Sequence, residues 1–535
     1  MQERRGPAVE VAIDELIAQM TLEEKVGMCH AESAFCSGGV ERLGIPPLVM
    51  SDGPHGVRQE LDPQTWDPVA GADDAVSYLP VGTALAATWN PERARDFGEV
   101  LGAEARARGK DVILGPGINI VRTPLCGRNF EYYGEDPHLI CQLVVPMITA
   151  CQEHDVAACV KHYALNNQEL DRFHVDVECD ERALREIYLP GFAAAVREAG
   201  VLTLMGAYNK FRGEHCCHND YLLNTVLKGE WSFDYLVVSD WGGTHDTGQA
   251  ARNGLDIEMG GDLNNLHLAG PFRAGLADGT YDTALVDDKV RRILRVMYAV
   301  GKFDPADRAA GARNTERHRQ LARRIADEAI VLLKNDNAVL PLDPDTIRTL
   351  AVIGDNADRT HAQGGGSSAV VAHHEITPLS GLRELLGDAV RIVHVRGYPN
   401  APAGMEPIPT ELLAAPDAAG IGGWRRELYA NRRFRDEPVA VSTVPTVALG
   451  GDDLPQGLQP GRWSAIWRGR VTPTVSGTYH LVISGGDSYD LRVDEVSVAS
   501  AWGLACHGTR VETIELTAGT SYAVEVRLNP AGEDG

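Results

Sequence analysis

The sequence predicts an α/β multidomain protein. It reads as an N-terminal (β/α)8-barrel-like domain, part of an α/β sandwich domain, and then an antiparallel β-sandwich. Three observations predict this. Up to about residue 300, short apolar runs ending in polar or glycine residues alternate with helical patterns, which implies a mostly parallel sheet. The 535 residues exceed one ordinary domain. From Trp424 onward the pattern changes to short alternating runs separated by turn residues, the mark of antiparallel strands. On this reading residues 1–302 form the barrel, 303–315 a linker, 316–405 the first part of the α/β sandwich domain and 406–535 the β-sandwich.

Residues 11–20 have the apolar spacing of a helix, and Thr21-Leu22-Glu23-Glu24 is a capping box that opens a second one. Pro47-Leu48-Val49-Met50-Ser51-Asp52 is a short strand that breaks into the turn Gly53-Pro54-His55-Gly56. Asn90 and Pro91 are suited to the N-cap and first position of the next helix. Apolar runs recur at 112–115, 157–162, 202–209 and 234–242, with helical segments such as 181–198 between them. Residues 286–300 close the block as a helix, and 304–312 lose apolar periodicity. A helix over 316–329 and strands over 349–354 and 390–395 begin the second α/β block, and runs such as 477–483 and 489–493 belong to the third.

A formal charge of -25 and a pI near 5.1 argue against nucleic acid or an anionic membrane as partner, and fit action on neutral or cationic small molecules. The N-terminus lacks the apolar core of a secretion signal, and no stretch is apolar enough to span a bilayer. The ten cysteines show no framework spacing. Reduced thiols and a cytoplasmic location are therefore expected, with export by another route left open. So is assembly into a homo-oligomer.

Several motifs point away from cofactor chemistry. Adjacent cysteines in His215-Cys216-Cys217-His218 converge poorly on one ion, so a loop beside the pocket is expected there rather than a metal site. Gly364-Gly365-Gly366-Ser367-Ser368 lacks the lysine of a phosphate loop and reads as a flexible loop. No Gly-x-Ser-x-Gly elbow occurs in a strand–turn–helix setting. No cofactor is implied.

The run Leu236-Val237-Val238-Ser239-Asp240-Trp241-Gly242 delivers a carboxylate at the C-terminal end of a strand, where barrels carry their chemistry. A lone strand-end Asp more often caps the next helix or closes a turn. Asp240 is not alone, however. Strand ends and the loops after them also offer Asp52 and Arg58, Arg128, Lys161 and His162, Met205 and Tyr208, and Trp241. Charged donors and acceptors with an aromatic face are what a hydroxyl-rich neutral ligand requires.

The segments Ser51-Asp52-Gly53-Pro54-His55-Gly56-Val57-Arg58, Gly127-Arg128-Asn129-Phe130-Glu131-Tyr132-Tyr133-Gly134-Glu135-Asp136-Pro137, Lys161-His162-Tyr163-Ala164-Leu165-Asn166-Asn167-Gln168-Glu169 and Val237-Val238-Ser239-Asp240-Trp241-Gly242 resemble the family-3 glycoside hydrolases of the β-glucosidase branch. The resemblance runs from about Met20 to Leu382. It implies a retaining, exo-acting enzyme with Asp240 as nucleophile and a small β-glucoside or oligosaccharide as partner. Asp52, Arg128, Lys161, His162, Met205, Tyr208 and Trp241 would hold the terminal glycosyl unit, and Arg58 would support Asp52. Contact of Asp52 with the far end of the ring would favour a hexose over a pentose. The family's hexosaminidase branch carries a catalytic His in a Gly-rich loop after the Lys-His pair, whereas Ala164-Leu165-Asn166-Asn167 follows here, so His162 is read as a hydroxyl binder. Lys161 and Arg128 are expected to keep Asp240 ionised.

From about Gly422, Trp463, Trp467-Arg468-Gly469, Gly477-Thr478-Tyr479 and the 490–498 hairpin resemble the protective-antigen-type β-sandwich, which interrupts the second α/β domain in some family-3 enzymes. The Asp-Asp pair that binds calcium in other such domains is replaced by Gly485-Gly486-Asp487. Relatives with this insert return afterwards to the interrupted domain and carry the acid/base glutamate there. The chain is therefore expected to stop in or just past the insert, before the proton donor, and Glu131, Glu169 and Glu258 are not assigned that role.

Overall fold

The computed structural model describes residues 6–62, 69, 73–260, 263, 265–362, 366–395, 397, 408–409, 412–415, 422–431, 433–447, 458, 463–485, 488–500 and 508–529. The chain divides into two units, Met1–Asp343 with Arg359–Thr377, and Pro344–Asp358 with Pro378–Gly535.

In the first unit five strands lie side by side in chain order, all parallel: β1 (Met50–Asp52), β2 (Val112–Leu114), β3 (Ala157–Tyr163), β4 (Thr203–Gly206) and β5 (Leu236–Val238). Every residue in them is buried. Strands covered on both faces are mostly apolar, which is why β2, β5 and the first half of β3 read as apolar runs, while Ser51, Asp52, Lys161 and His162 sit toward the C-terminal ends of β1 and β3. Of the expected (β/α)8-barrel-like domain, five strands form this sheet among the described residues. Beyond β5 the pairing continues as single bridges, Val238 to Ile257, Glu258 to His30, and Cys36 to Val49, the last antiparallel. These segments are short and interrupted by Asp256, Glu258, Gly38 and Gly39, residue types that extend a ladder poorly.

Helices α1 (Pro7–Gln19), α2 (Leu22–Met28), α3 (Pro91–Ala107), α4 (Pro137–Gln152) and α5 (Thr283–Ala299) surround the sheet. Their starts follow from local chemistry. Thr21 and Glu24 form the expected capping box, and Asn90, Asp136 and Asp282 each accept an N–H of the first turn. The helical segment expected over 181–198 is broken instead. A π turn over Leu184–Tyr188 precedes a new helix at Pro190–Arg197, because proline supplies no N–H to continue the first.

The stretch 303–315, expected as a linker, is packed into the first unit. Ala312 donates its N–H to the Ala103 carbonyl at 3.1 Å. Gly311 (φ +73°) lies so close to α3 that a Cβ would stand 2.4 Å from the Ala107 nitrogen. The helix α6 (Glu316–Ala329), expected to open the second domain, also belongs here, with His318 Nδ1 2.8 Å from the buried Glu104 carboxylate.

The second unit begins with a parallel pair, β6 (Thr349–Ile353) and β7 (Arg391–Val395), and the helix α7 (Pro378–Leu386). Two antiparallel sheets follow. One has the order β9 (Ala440–Val444), β8 (Trp424–Tyr429), β10 (Ser464–Val471), β15 (Tyr522–Asn529), β12 (Ser488–Val493), β13 (Val496–Ser500), with Leu413–Ala414 also on β10. The other pairs β11 (Gly477–Gly485) with β14 (Gly508–Leu516). Trp424, Leu428, Trp463, Trp467 and Val526 form an apolar cluster on which Leu481 and Ile514 also pack. Gly364 and Gly365 of the Gly-rich loop, Gly486 and Asp487 of the calcium comparison, and the expected 405/406 boundary lie outside the described residues.

One buried carboxylate ties β1 and β2 to the chain after α5. Asp111, fully buried, accepts the Val49 N–H at 2.9 Å and pairs with Lys302 and, at 2.8 Å, with Arg308. Breaking a buried pair strands the remaining charges. Asp111→Ala is expected to lower the unfolding free energy in urea by about 3–5 kcal/mol, and a loss below about 1 kcal/mol would contradict the assignment.

Candidate active site

Parallel strands end on one edge of their sheet, so residues at or just past their C-termini are brought together. Asp52 is the last residue of β1, Lys161 and His162 lie in β3, Met205 in β4, Tyr208 two residues after β4, and Asp240 and Trp241 just after β5. Met205 is buried in the apolar core.

Asp240 does not cap the helix that follows it. Asp246 does so for Thr247–Arg252, accepting the Gln249 N–H at 2.7 Å. The Asp240 carboxylate is instead oriented by its own loop. Oδ1 accepts the Trp241 N–H at 2.9 Å, while Oδ2 is buried without a hydrogen-bond partner among the described residues, 3.7 Å from His162 Nε2. The Tyr208 hydroxyl donates to the Trp241 carbonyl at 3.0 Å. The Trp241 indole donates to the Ala34 carbonyl at 2.8 Å and packs on Phe35 at 5.1 Å, so its ring is fixed from both ends.

A second carboxylate stands in the same cluster. Asp52 takes the Arg58 guanidinium at 3.0 Å and has Lys161 Nζ 3.6 Å from its other oxygen. Arg128 donates to Glu131 at 2.6 Å, whose side chain is fully buried. His162 is held at both ends of its peptide. Asn119 Oδ1 accepts its N–H at 2.9 Å and Asn119 Nδ2 donates to its carbonyl at 2.8 Å. The ring's Nδ1 lies 3.3 Å from the Tyr132 hydroxyl.

Burial pushes the Asp240 carboxyl above the ordinary aspartate range, while the charges of Arg128, Arg172 and Lys161 and the Tyr208 hydroxyl oppose that rise and favour the ionised form. Burial, together with the charges of Arg128, Lys161 and Arg172, drives His162 far below the usual histidine range, so its ring is neutral.

Two contributors were not found from sequence. Arg172 lies over the Tyr208 ring at 4.4 Å and pairs with Glu169 at 2.7 Å, and its only signal was a cation shortly after the Lys161–Glu169 segment. Asn119 gave no signal, because its clamp on His162 depends on neighbouring strands. The His215–His218 segment is engaged one group at a time. His215 Nε2 lies 3.1 Å from the Phe173 carbonyl, His218 Nε2 accepts the His245 N–H, and the two thiols donate to the Ala164 and Ala207 carbonyls. Among the described residues no group of three or more His, Cys, Asp or Glu is arranged to hold a metal ion.

Comparison with known proteins gives the family. Residues 17–296 match the glycosyl hydrolase family 3 N-terminal domain, and 330–501 match the family's C-terminal domain. The chain belongs to glycosyl hydrolase family 3. It is similar to the β-glucosidase BoGH3A of Bacteroides ovatus, with 46% identity over 73% of this chain and 54% of that protein. It is also similar to β-glucosidase B of Emericella nidulans, with 33% identity over 98% of this chain and 61% of that protein. Among solved structures it resembles DesR, a β-glucosidase from Streptomyces venezuelae in complex with D-glucose, with TM-score 0.72, 28% identity, and coverage of 97% of this chain and 62% of that one. The chain thus spans about half to three fifths of the length of these family-3 relatives.

The raised Asp240 carboxyl has a consequence for stability. A group whose folded value exceeds its unfolded one, near 3.8, stabilises the fold while protonated, and that stabilisation is lost as pH rises through the raised value. Asp240→Asn is therefore expected to melt above the parent at pH 7 and with it near pH 3. A lower melting temperature at pH 7 would contradict the burial cost.

Proposed function

We propose that the protein is a retaining, exo-acting β-glucosidase that hydrolyses terminal non-reducing β-D-glucosyl residues through a covalent glycosyl–Asp240 intermediate. The observation that carries this reading is the Asp240 carboxylate, with Oδ1 fixed by the Trp241 N–H and Oδ2 left without a partner among the described residues. A nucleophile needs one such oriented, unengaged oxygen. Around it Asp52, Lys161, Arg128, His162, Tyr208 and Trp241 supply charge-assisted donors and acceptors for the sugar's hydroxyls and an aromatic wall for its ring. Met205 contributes an apolar contact, and Arg58 holds Asp52 in orientation through their ion pair. The glucosidase names of the relatives, and the D-glucose bound in the S. venezuelae structure, support glucose as the glycosyl unit. Neutral His162 suits a hydroxyl partner better than an ion partner. We further infer that the single bridges beyond β5 complete a barrel-like ring around the site, and that the two antiparallel sheets of the second unit form the protective-antigen-type sandwich.

Three carboxyls near these segments are already engaged. Glu131 is bound by Arg128 and Glu169 by Arg172, while Glu258 accepts the Leu268 N–H at 2.6 Å and is raised to about 7 by burial. This favours keeping a second reading, a carbohydrate-binding protein without turnover. Leaving groups separate the two. A retaining enzyme without its proton donor still cleaves a dinitrophenyl β-glucoside, whose leaving group needs no proton, and stalls on an alkyl β-glucoside. Turnover of the dinitrophenyl substrate, lost by roughly four orders of magnitude in Asp240→Asn, is the expected result. Undiminished turnover in that variant would refute the nucleophile, and none in the parent would leave the binding reading.

A further inference from the structure

The loop after β3 encloses the Asp240 carboxylate from two sides through one residue that does not touch it. Arg172 donates to Glu169 at 2.7 Å, and its guanidinium carbon lies 4.4 Å from the centre of the Tyr208 ring and 5.1 Å from that of Phe173. On one side, Tyr208 is anchored by its hydroxyl to the Trp241 carbonyl, so one ring is held both by Arg172 and by the turn that carries Asp240. On the other, Glu169 accepts from Asn166 at 3.4 Å, Asn166 donates to the Tyr132 hydroxyl at 3.2 Å, and that hydroxyl meets His162 Nδ1 at 3.3 Å. His162 Nε2 then faces the unengaged Asp240 oxygen at 3.7 Å. Both arms reach the nucleophile, and both begin at Arg172.

We propose that Arg172 is a positioning residue for the nucleophile, holding Tyr208 and the Asp240–Trp241 turn through its cation–π contact and placing a second cation behind Arg128 against the carboxylate. The proposal rests on the reading of Asp240 as nucleophile. A guanidinium over a phenol ring attracts the ring's electrons and fixes its plane, an effect that grows where water is excluded. The bland alternative is a loop staple to Glu169, and a half-buried pair of that kind is worth little by itself. A staple would leave the Asp240 titration unmoved. The groups that act on the carboxylate are Arg128, Lys161, His162, Tyr208, Cys217 and Arg172, and the Arg172 charge, like those of Arg128 and Lys161, favours its ionised form.

The test compares the parent with Arg172→Met and Arg172→Lys. The Asp240 carboxyl is followed by carbon NMR titration, with its signal assigned by its absence in Asp240→Asn, and turnover is followed with a dinitrophenyl β-glucoside. Arg172→Met is expected to move the Asp240 titration upward by about 0.5 pH unit or more, and to move the acid limb of kcat by the same amount. It should lower kcat about tenfold or more while KM stays within about threefold. Arg172→Lys, which keeps charge without the planar fork, should restore most of the titration and less of kcat. An unmoved titration in Arg172→Met, with or without loss of kcat, would overturn the proposal and leave the loop staple. Should Arg172→Met not fold, Arg172→Gln serves the same comparison. A parent that turns over no glucoside would defeat the functional reading, while the NMR titration would still decide the role of Arg172.

Discussion

Asp240 loses its water on burial, and the cations around it return only part of that loss. The first unit is arranged around this tension. Strands β1 to β5 are buried on both faces and mostly apolar, and their charged groups, such as Asp52, Lys161 and His162, gather toward the C-terminal ends. There the charges must be paired or hydrogen-bonded to be tolerated. Arg58 and Lys161 share Asp52, Glu131 takes Arg128, and Glu169 takes Arg172. Among the described residues the Asp240 oxygen facing His162 is one of the buried polar atoms left without a hydrogen-bond partner. A buried oxygen without a partner is unfavourable for the fold and useful for attack on a sugar carbon, which is the kind of compromise that marks a reacting group.

The neutral state of His162 belongs to the same arrangement. A protonated imidazole among Arg128, Lys161 and Arg172 would add a fourth like charge and would form an ion pair with the Asp240 carboxylate, the proposed nucleophile. Held by Asn119 through its own peptide, His162 keeps its ring directed at Oδ2 without neutralising it. Tyr208 and Trp241 complete the other wall, each anchored by its polar end, so both rings present rigid faces.

Much of this was legible in the sequence, for local reasons. Buried parallel strands write themselves as unbroken apolar runs, and the helix starts at Thr21, Asn90, Asp136 and Asp282 are short-range capping chemistry. That the candidate residues gather at one edge of the sheet was legible too, since most of them lie at or just past the ends of successive strands. What was hidden depends on long-range partners. The stretch around Arg308 has the composition of a linker, yet its guanidinium reaches Asp111, 197 residues earlier in the chain. Helix α6 was assigned to the wrong unit because nothing local reveals that His318 faces Glu104. The continuation beyond β5 left no pattern because Ile257 and Cys36 make only single bridges. Arg172 was passed over because its partner is an aromatic face on the next strand's loop, a contact without sequence periodicity.

The account stands on Asp240 forming a bond to the sugar. The most direct measurement incubates the protein with an activated 2-deoxy-2-fluoro-β-D-glucoside, whose fluorine slows hydrolysis of a glycosyl intermediate, and maps the modified peptide by mass spectrometry. The account predicts one fluoroglucosyl group per chain, on the peptide containing Asp240 and on that carboxylate. A label on a different carboxylate, or glucoside turnover by a protein that never becomes labelled, would contradict it.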